Sequence, residues 1–414
     1  MIKKVFFVGM SLFSATLFAQ EKTLNQYIDI GLTNSPLLKD YNNQKLSNAI
    51  DSLRILAGYK PQVNGVSTNT YAPTTKNGWG YDAAITNGVN FSQLVVASQR
   101  LVSKENLNNQ QEAIRLLNES LTVSGKVTEQ DLKRSIAAQY ITAYGDEEQK
   151  TFNQRVLALL KKEEQILRQL TEKGVYRQTD YLSFIVAIKQ QELYITQVNV
   201  QYRNDISALN YLCGIKDTSY VQIATPEFDA VILPEAENSV FYQQYNIDSL
   251  KLKNDIAQIG FNYKPKVNLY ADGGYLSSFQ EDPYKNFGVS AGVTLTVPIY
   301  DGRQKKMQYD KVNIAEKTRQ VYRDYFKTQY QQQIAQLYQQ LNSVQQIINE
   351  ANDHLKYNEA LIEANRKLLE TGDLHMPDYI LALSNYLNVQ NVVTQNKVNK
   401  LQILNQINYW NRKQ

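Results

Sequence analysis

The sequence predicts a mainly α-helical chain with a small β part, laid out on one plan used twice. Three observations carry that expectation. Tyr59-Lys60-Pro61-Gln62-Val63-Asn64 recurs as Tyr263-Lys264-Pro265-Lys266-Val267-Asn268, 204 residues further on. Four short segments alternate apolar with small or polar residues at a period of two, and long segments carry apolar residues at alternating steps of three and four.

The chain has 414 residues, and its first segment reads as a secretory signal peptide over residues 1–19. Lys3 and Lys4 precede an apolar run from Val5 to Phe18, with cleavage expected after Ala19. No later stretch of about 20 apolar residues follows, so an exported chain is either soluble or crosses a membrane as strands. Without Lys3 and Lys4 the formal charge falls from +4 to +2, which argues against a nucleic-acid partner. Cys213 stands alone and forms no internal disulfide. His354 and His375 lie away from any Asp, Glu or Cys cluster at ligand spacing, so no metal and no cofactor is expected.

The repeat extends beyond the hexapeptide. Asp51 to Pro61 lies over Asp255 to Pro265, and Gly88-Val89 over Gly292-Val293 at the same offset. Gly174 with Thr179-Asp180-Tyr181-Leu182 matches Gly372 with Pro377-Asp378-Tyr379-Ile380. The expected repeats are residues 20–216 and 240–414, joined by a linker at 217–239. Each holds a helix, two strands, a long helix, a tip and a returning helix.

The strands are expected near 62–72, 80–93, 265–277 and 286–298. Val289, Ala291, Val293, Leu295 and Val297 alternate with Gly288, Ser290, Gly292, Thr294 and Thr296. Val267, Leu269, Ala271, Gly273 and Tyr275 alternate likewise, and Ala83, Ile85, Val89 and Phe91 repeat the pattern more weakly. A strand with two unlike faces and about ten residues suits a tilted membrane span. Four strands cannot close a barrel alone and open edges are not tolerated in lipid, so several chains must share one. A soluble sandwich would need a second sheet, and no segment supplies it.

The long helix of the second repeat is expected over 301–370, on the order of 105 Å if unbroken. Ile334, Leu337, Leu341, Val344, Ile348, Ala351, Leu355, Asn358, Ile362, Asn365 and Leu369 form its seam. Phe152, Val156, Leu159, Glu163, Ile166 and Leu170 form another. Ile185, Ile188, Glu192, Ile195, Asn199, Tyr202, Ile206 and Leu209 continue on the returning helix. Gln and Asn crowd the other faces, so these helices are wet on more than one side. The tips lie near 173–180 and 371–378, with Gly174 and Gly372 ending one helix and Thr179-Asp180 and Pro377-Asp378 starting the next.

No nucleophile with a base, phosphate-cradling loop or paired acids at usable spacing is present, so no enzyme is expected. The remaining motifs are junctions. Tyr59, Pro61, Tyr263 and Pro265 mark helix giving way to strand, with Tyr and Lys suited to a membrane interface. Pro298, Asp301 and Gly302 mark strand giving way to helix, with Asp301 the expected N-cap of a helix beginning near Arg303. Leu94 and Ser98 hold the corresponding places in the first repeat, where the transition is expected to be less sharp.

This organisation resembles the TolC-like outer-membrane efflux protein family across the whole mature chain. The resemblance rests on Gly31-Leu32-Thr33-Asn34-Ser35-Pro36-Leu37-Leu38, on Leu209-Asn210-Tyr211-Leu212-Cys213-Gly214 and on Val297-Pro298-Ile299-Tyr300-Asp301-Gly302-Arg303. It implies a homotrimer in the outer membrane of a Gram-negative bacterium, extending into the periplasm. Four strands per chain would make a 12-stranded transmembrane β-barrel, and the coiled-coil helices a trimeric α-barrel tunnel. It implies a passive channel of a tripartite efflux or type I secretion system, fed by an inner-membrane transporter through a periplasmic adaptor (membrane fusion) protein. The rival expectation is an exported structural or adhesive coiled-coil protein without a channel.

By the same resemblance the adaptor docks at the tips, and Asp180 and Asp378 fall on acidic positions that narrow the periplasmic entrance. The family's second constricting aspartate is Leu381 here, and its latching arginine is Leu374. Arg177, on the other tip, is the remaining candidate for that latch.

Overall fold

The computed structural model of the protein describes residues 21–75, 77–82, 88–217, 221–228, 235–279 and 282–411. The expected signal peptide, Ala83 and Ile85, and residues 218–220 and 229–234 of the expected linker lie outside these residues.

In chain order the elements are α1 (Leu24–Asn34), α2 (Pro36–Gly58), β1 (Gln62–Tyr71), β2 (Val89–Leu101), α3 (Lys104–Glu172) and α4 (Gln178–Leu212). Then come α5 (Val240–Asn262), β3 (Lys266–Ser277), β4 (Phe287–Thr296), α6 (Gln304–Thr371) and α7 (Met376–Asn411). Helix, two strands, a long helix and a returning helix thus occur in the same order twice. α3 and α6, at 69 and 68 residues, are far longer than the three or four turns of an ordinary globular helix.

The chain divides into two compact units. One comprises residues 37–127 and 236–329 and holds the sheet, nearly all of α2, the first part of α3, α5 and the first part of α6. The sheet order is β1-β2-β3-β4, every pair antiparallel. Here α5 packs on α6 through rings: Tyr245 and Phe326 lie 5.8 Å apart, and Arg319 donates to the Tyr245 carbonyl at 3.1 Å. Asn48 donates to Asn118 at 2.8 Å, fixing α2 against α3.

The other unit comprises residues up to 36, 128–235 and 330–413. It is a bundle of α3, α4, α6 and α7 with α1 packed on it. All eleven seam positions expected on α6 from Ile334 to Leu369 are buried or half-buried. Those expected on α3 and α4 are as well, but the most enclosed side chains often stand one position away. Leu160, Leu167 and Phe184 are completely buried. A helix touching two neighbours needs a stripe wider than a two-stranded seam, so adjacent positions are covered together. Each such side chain stabilises the bundle by about 2 kcal/mol.

At the far end of this unit from the tips, Tyr27, Tyr140 and Tyr202 are fully enclosed. The Tyr140 hydroxyl shares its one proton between the carbonyls of Ala224 (2.6 Å) and Lys22 (2.9 Å), tying the stretch before α1 to the stretch after α4. The segments around Asn34 and Cys213, far apart in sequence, meet here: Asn34 Nδ2 donates to the Cys213 carbonyl at 2.9 Å. A Cβ on Gly31 would lie 2.4 Å from Ile136 Cδ1, so a larger residue at this crossing would have to displace the end of that buried side chain.

Two expectations are corrected. The second strand is Val89–Leu101, later than 80–93, so Leu94 and Ser98 lie inside it. The first-repeat junction is also the sharper one. Only Val102 and Ser103 separate β2 from α3, because Ser103 caps the helix directly by accepting from Asn106 N at 3.3 Å. In the second repeat seven residues separate β4 from α6.

Candidate functional site

Two places carry functional geometry, the sheet in one unit and the helical tips in the other. Side chains at paired register positions share a face of an antiparallel sheet. The register therefore puts Val63, Val95, Gly273 and Val289 on one face with Val267, Leu269, Val293 and Leu295. On β3 and β4 this face is apolar and open, with Val289 90% exposed. On β1 and β2 it also carries Ser67, Asn69 and Gln93, with Gln93 donating to the other two. The opposite face is polar on β3 and β4, with Asn268, Asp272, Ser290 and Thr294, and Ser290 donates to Asp272 at 2.6 Å. On β1 and β2 it mixes Asn64, Thr68 and Ser92 with Val66, Leu94 and Val96.

On the apolar face Phe91, Tyr275 and Phe287 pack edge to face near the loops, with centroids 5.9 and 5.2 Å apart. β1 and β4 each pair on one side only, so both edges of the sheet present unpaired backbone groups. Strand lengths of 10, 13, 12 and 10 residues match a tilted membrane strand. No described helix is long and apolar enough to cross a membrane.

The junction residues sit at one end of this sheet. Pro61 and Pro265 each stand one residue before a strand, where a missing N–H costs no ladder bond. Tyr59 accepts from Gln99 on its carbonyl (3.1 Å) and from Gln110 on its hydroxyl (2.7 Å). Tyr263 accepts from Gln308 at 3.3 Å. Pro298 follows β4 by two residues. Asp301 caps from further back than expected. α6 begins at Gln304, and the Asp301 carboxylate accepts from Arg303 N (2.8 Å) and Lys305 N (2.7 Å). Gly302 and Arg303 both take positive φ, +64° and +69°, to make the tight entry.

Two further apolar stripes in this unit were not among the sequence expectations. Met307, Ile314 and Val321 repeat every seventh residue on α6 at 57–68% exposed, and Leu46, Ile50 and Leu53 form a stripe on α2. The spacing was readable in the sequence, although nothing there distinguishes a covered seam from an open one.

At the tips, Gly174 and Gly372 hold φ of +79° and +84° and end α3 and α6 as expected. The Asp180 carboxylate accepts from Arg177 N at 3.2 Å, a capping bond at the start of α4. Thr179 and Pro377 are exposed in the first turns of α4 and α7. Asp378 is exposed and pairs with His375 at 3.2 Å, a partner the sequence reading did not assign. The Arg177 guanidinium forms no ion pair among the described residues, so nothing within the chain shows it acting as a latch.

Leu374 is buried, while Leu381 is exposed. The Tyr176 hydroxyl donates to the Leu369 carbonyl (3.4 Å) and accepts from Leu374 N (3.2 Å), crossing from one hairpin to the other. Tyr379 on α7 donates to Glu163 on α3. The only sequence signal for this pair was a carboxylate at a seam position.

A Cβ on Gly372 would stand 2.5 Å from Val175, whereas one on Gly174 would meet nothing within 4 Å. Gly174→Ala is therefore expected to cost about 1 kcal/mol from backbone strain alone, and Gly372→Ala about 1 kcal/mol more. Val175→Ala should recover only that excess. Thermal unfolding of the single and double variants measures both terms.

No family model matches the chain, and no curated protein matches it. Solved structures do. CusC, solved in work on folding and transmembrane channel formation, aligns at TM-score 0.74 and 14% identity over 95% of this chain and 93% of that one. The Vibrio cholerae outer membrane protein VceC aligns at 0.72 and 13%, over 94% and 96%. The Campylobacter jejuni CmeC outer membrane channel aligns at 0.70 and 14%, over 94% and 85%. At this identity the likeness establishes the fold, that of the TolC-like outer-membrane channels.

Proposed function

We propose, from that fold, that the protein is the outer-membrane channel of a tripartite efflux or secretion assembly in a Gram-negative bacterium. The observation that carries this reading is the four-stranded sheet with two unpaired edges, whose β3 and β4 present one open apolar face and one polar face. Such a sheet fits a lipid-facing exterior and a water-filled interior, and its edges require β1 and β4 of neighbouring copies. Three copies give twelve strands, an even number within the range of known barrels. The open stripes at Met307, Ile314 and Val321 and at Leu46, Ile50 and Leu53 are the helical counterpart, seams left for a second copy.

The channel is passive and performs no reaction. Substrate reaches the tips through a periplasmic adaptor and an inner-membrane transporter, with the turns at Gly174 and Gly372 as the docking points. Exposed Asp378, repeated by threefold symmetry, and Asp180 contribute negative charge at the entrance.

Membrane fractionation and unboiled gels test the assembly, with an outer-membrane, heat-dissociable trimer expected. A monomer in the soluble fraction would overturn the proposal and favour the structural coiled-coil reading. In planar bilayers the purified trimer is expected to conduct, and Asp378→Ala to reduce cation preference by about twofold or more through loss of three carboxylates. Unchanged selectivity would remove Asp378 from the gate.

A further inference from the structure

Glu163 is a carboxyl in an apolar place. It lies on α3 within the core shared by the α3–α4 and α6–α7 hairpins, among Leu160, Leu167, Phe184 and Leu369, and is 1% exposed. One oxygen accepts from the Tyr379 hydroxyl, and Tyr379 is itself fully buried and stacked on Phe184 with centroids 6.1 Å apart. The other oxygen, Oε1, is buried with no hydrogen-bond partner among the described residues. A half-satisfied carboxyl in such a core costs free energy that hydration would return.

The groups acting on Glu163 are few. α7 supplies Tyr379, and α6 supplies Arg366 and Glu363, which pair with each other at 2.8 Å. α4 supplies no charge acting on it. Burial outweighs the help of Tyr379 and Arg366 and pushes the carboxyl up from its usual range.

We propose that Glu163 is a proton-operated spring between the two tip hairpins: neutral, it holds Tyr379 and keeps them joined; ionised, its unpartnered oxygen drives them apart. The widening of an entrance by this motion rests on the channel reading; the motion itself does not. In the joined state Glu163 binds its proton more tightly than when hydrated. Joining is therefore strongest below the ordinary carboxylate range and weakens as pH rises through the raised value.

A reporter is built in. Leu374 N–H donates to Tyr176 across the hairpins and loses that partner on separation. Hydrogen exchange of peptides spanning 370–376, in the purified full-length protein between pH 5 and 9, measures it after correction for intrinsic rates. The wild type is expected to lose protection about tenfold as pH rises through that range. Glu163→Gln should stay protected throughout. Tyr379→Phe, which leaves both Glu163 oxygens without that donor, should lose protection more steeply than the wild type.

Parallel profiles for wild type and Glu163→Gln overturn the spring. Conductance recorded on the same samples separates the two readings. The expected exchange profile without any conductance upholds the spring and sinks the channel, and a conducting protein with a flat profile does the reverse.

Discussion

Replacing Gly274 with alanine is expected to abolish the assembled, heat-dissociable oligomer. Gly274 sits in β3 opposite Leu94 with φ +155°, and an added Cβ would lie 2.1 Å from the Gln93 carbonyl oxygen and 3.0 Å from Leu94 Cα. These are backbone atoms of the neighbouring strand and cannot swing aside. Overpacking and strain together cost on the order of 3 kcal/mol or more, concentrated at the β2–β3 pair that joins the two halves of the sheet. Gly65→Ala is the matched control, since its Cβ would meet nothing within 4 Å. Unboiled gels of membranes carrying each variant are expected to show oligomer for Gly65→Ala and none for Gly274→Ala. Equal oligomer from both would mean that the β2–β3 pairing is not as described.

Asp146→Asn is expected to make the protein more stable in mild alkali while changing little in acid. Asp146 on α3 faces Asp205 on α4, and burial first, then the Asp205 contact, pushes its carboxyl up to about 8. Gln139 and Gln201 each donate to an Asp205 oxygen, at 2.9 and 2.8 Å. Asp205 is thus an acceptor on both sides, and a shared proton belongs to Asp146. Between about pH 4, where an unfolded aspartate ionises, and about 8, the native state binds the extra proton. The contribution is therefore full below that window and lost as pH rises through it. Asparagine carries no such loss, and at pH 8.5 the variant should exceed the wild type by on the order of 2 kcal/mol, allowing for solvent screening. Urea midpoints at pH 4 and pH 8.5 decide it, and curves that stay parallel would refute the protonated pair.

Most of the fold was legible because it is periodic. The α6 seam could be read because residues such as Leu337, Ile348 and Ile362 recur at the coiled-coil step, and β3 and β4 because alternation at period two is unambiguous next to Pro265 and Pro298. β2 was misplaced because only the weak alternation of Ala83, Ile85, Val89 and Phe91 marked it. The stretch from Leu94 to Leu101 has no proline to stop it and stays paired with β3 as far as Val267. Leu160 and Phe184 escaped because a strict seam chooses one of two adjacent positions, whereas a bundle covers both. The tips were located by Gly174 and Gly372, but their internal bonding was not, since Glu163 and Tyr379 stand 216 residues apart. Only the folded hairpins bring them together.

The single thiol has a practical consequence. Cys213 is completely buried, donates to the Tyr27 carbonyl at 3.4 Å, and has its acidity pushed up to about 11 by burial. A thiol so enclosed and so seldom ionised is unreactive toward maleimides and methanethiosulfonates at neutral pH. The natural chain already serves as a cysteine-free background, and one introduced cysteine at exposed Val175 or Val186 would take a spin label alone. Distances between identical labels in an assembly would then report the number of copies and the separation of their tips, without any other alteration of the protein.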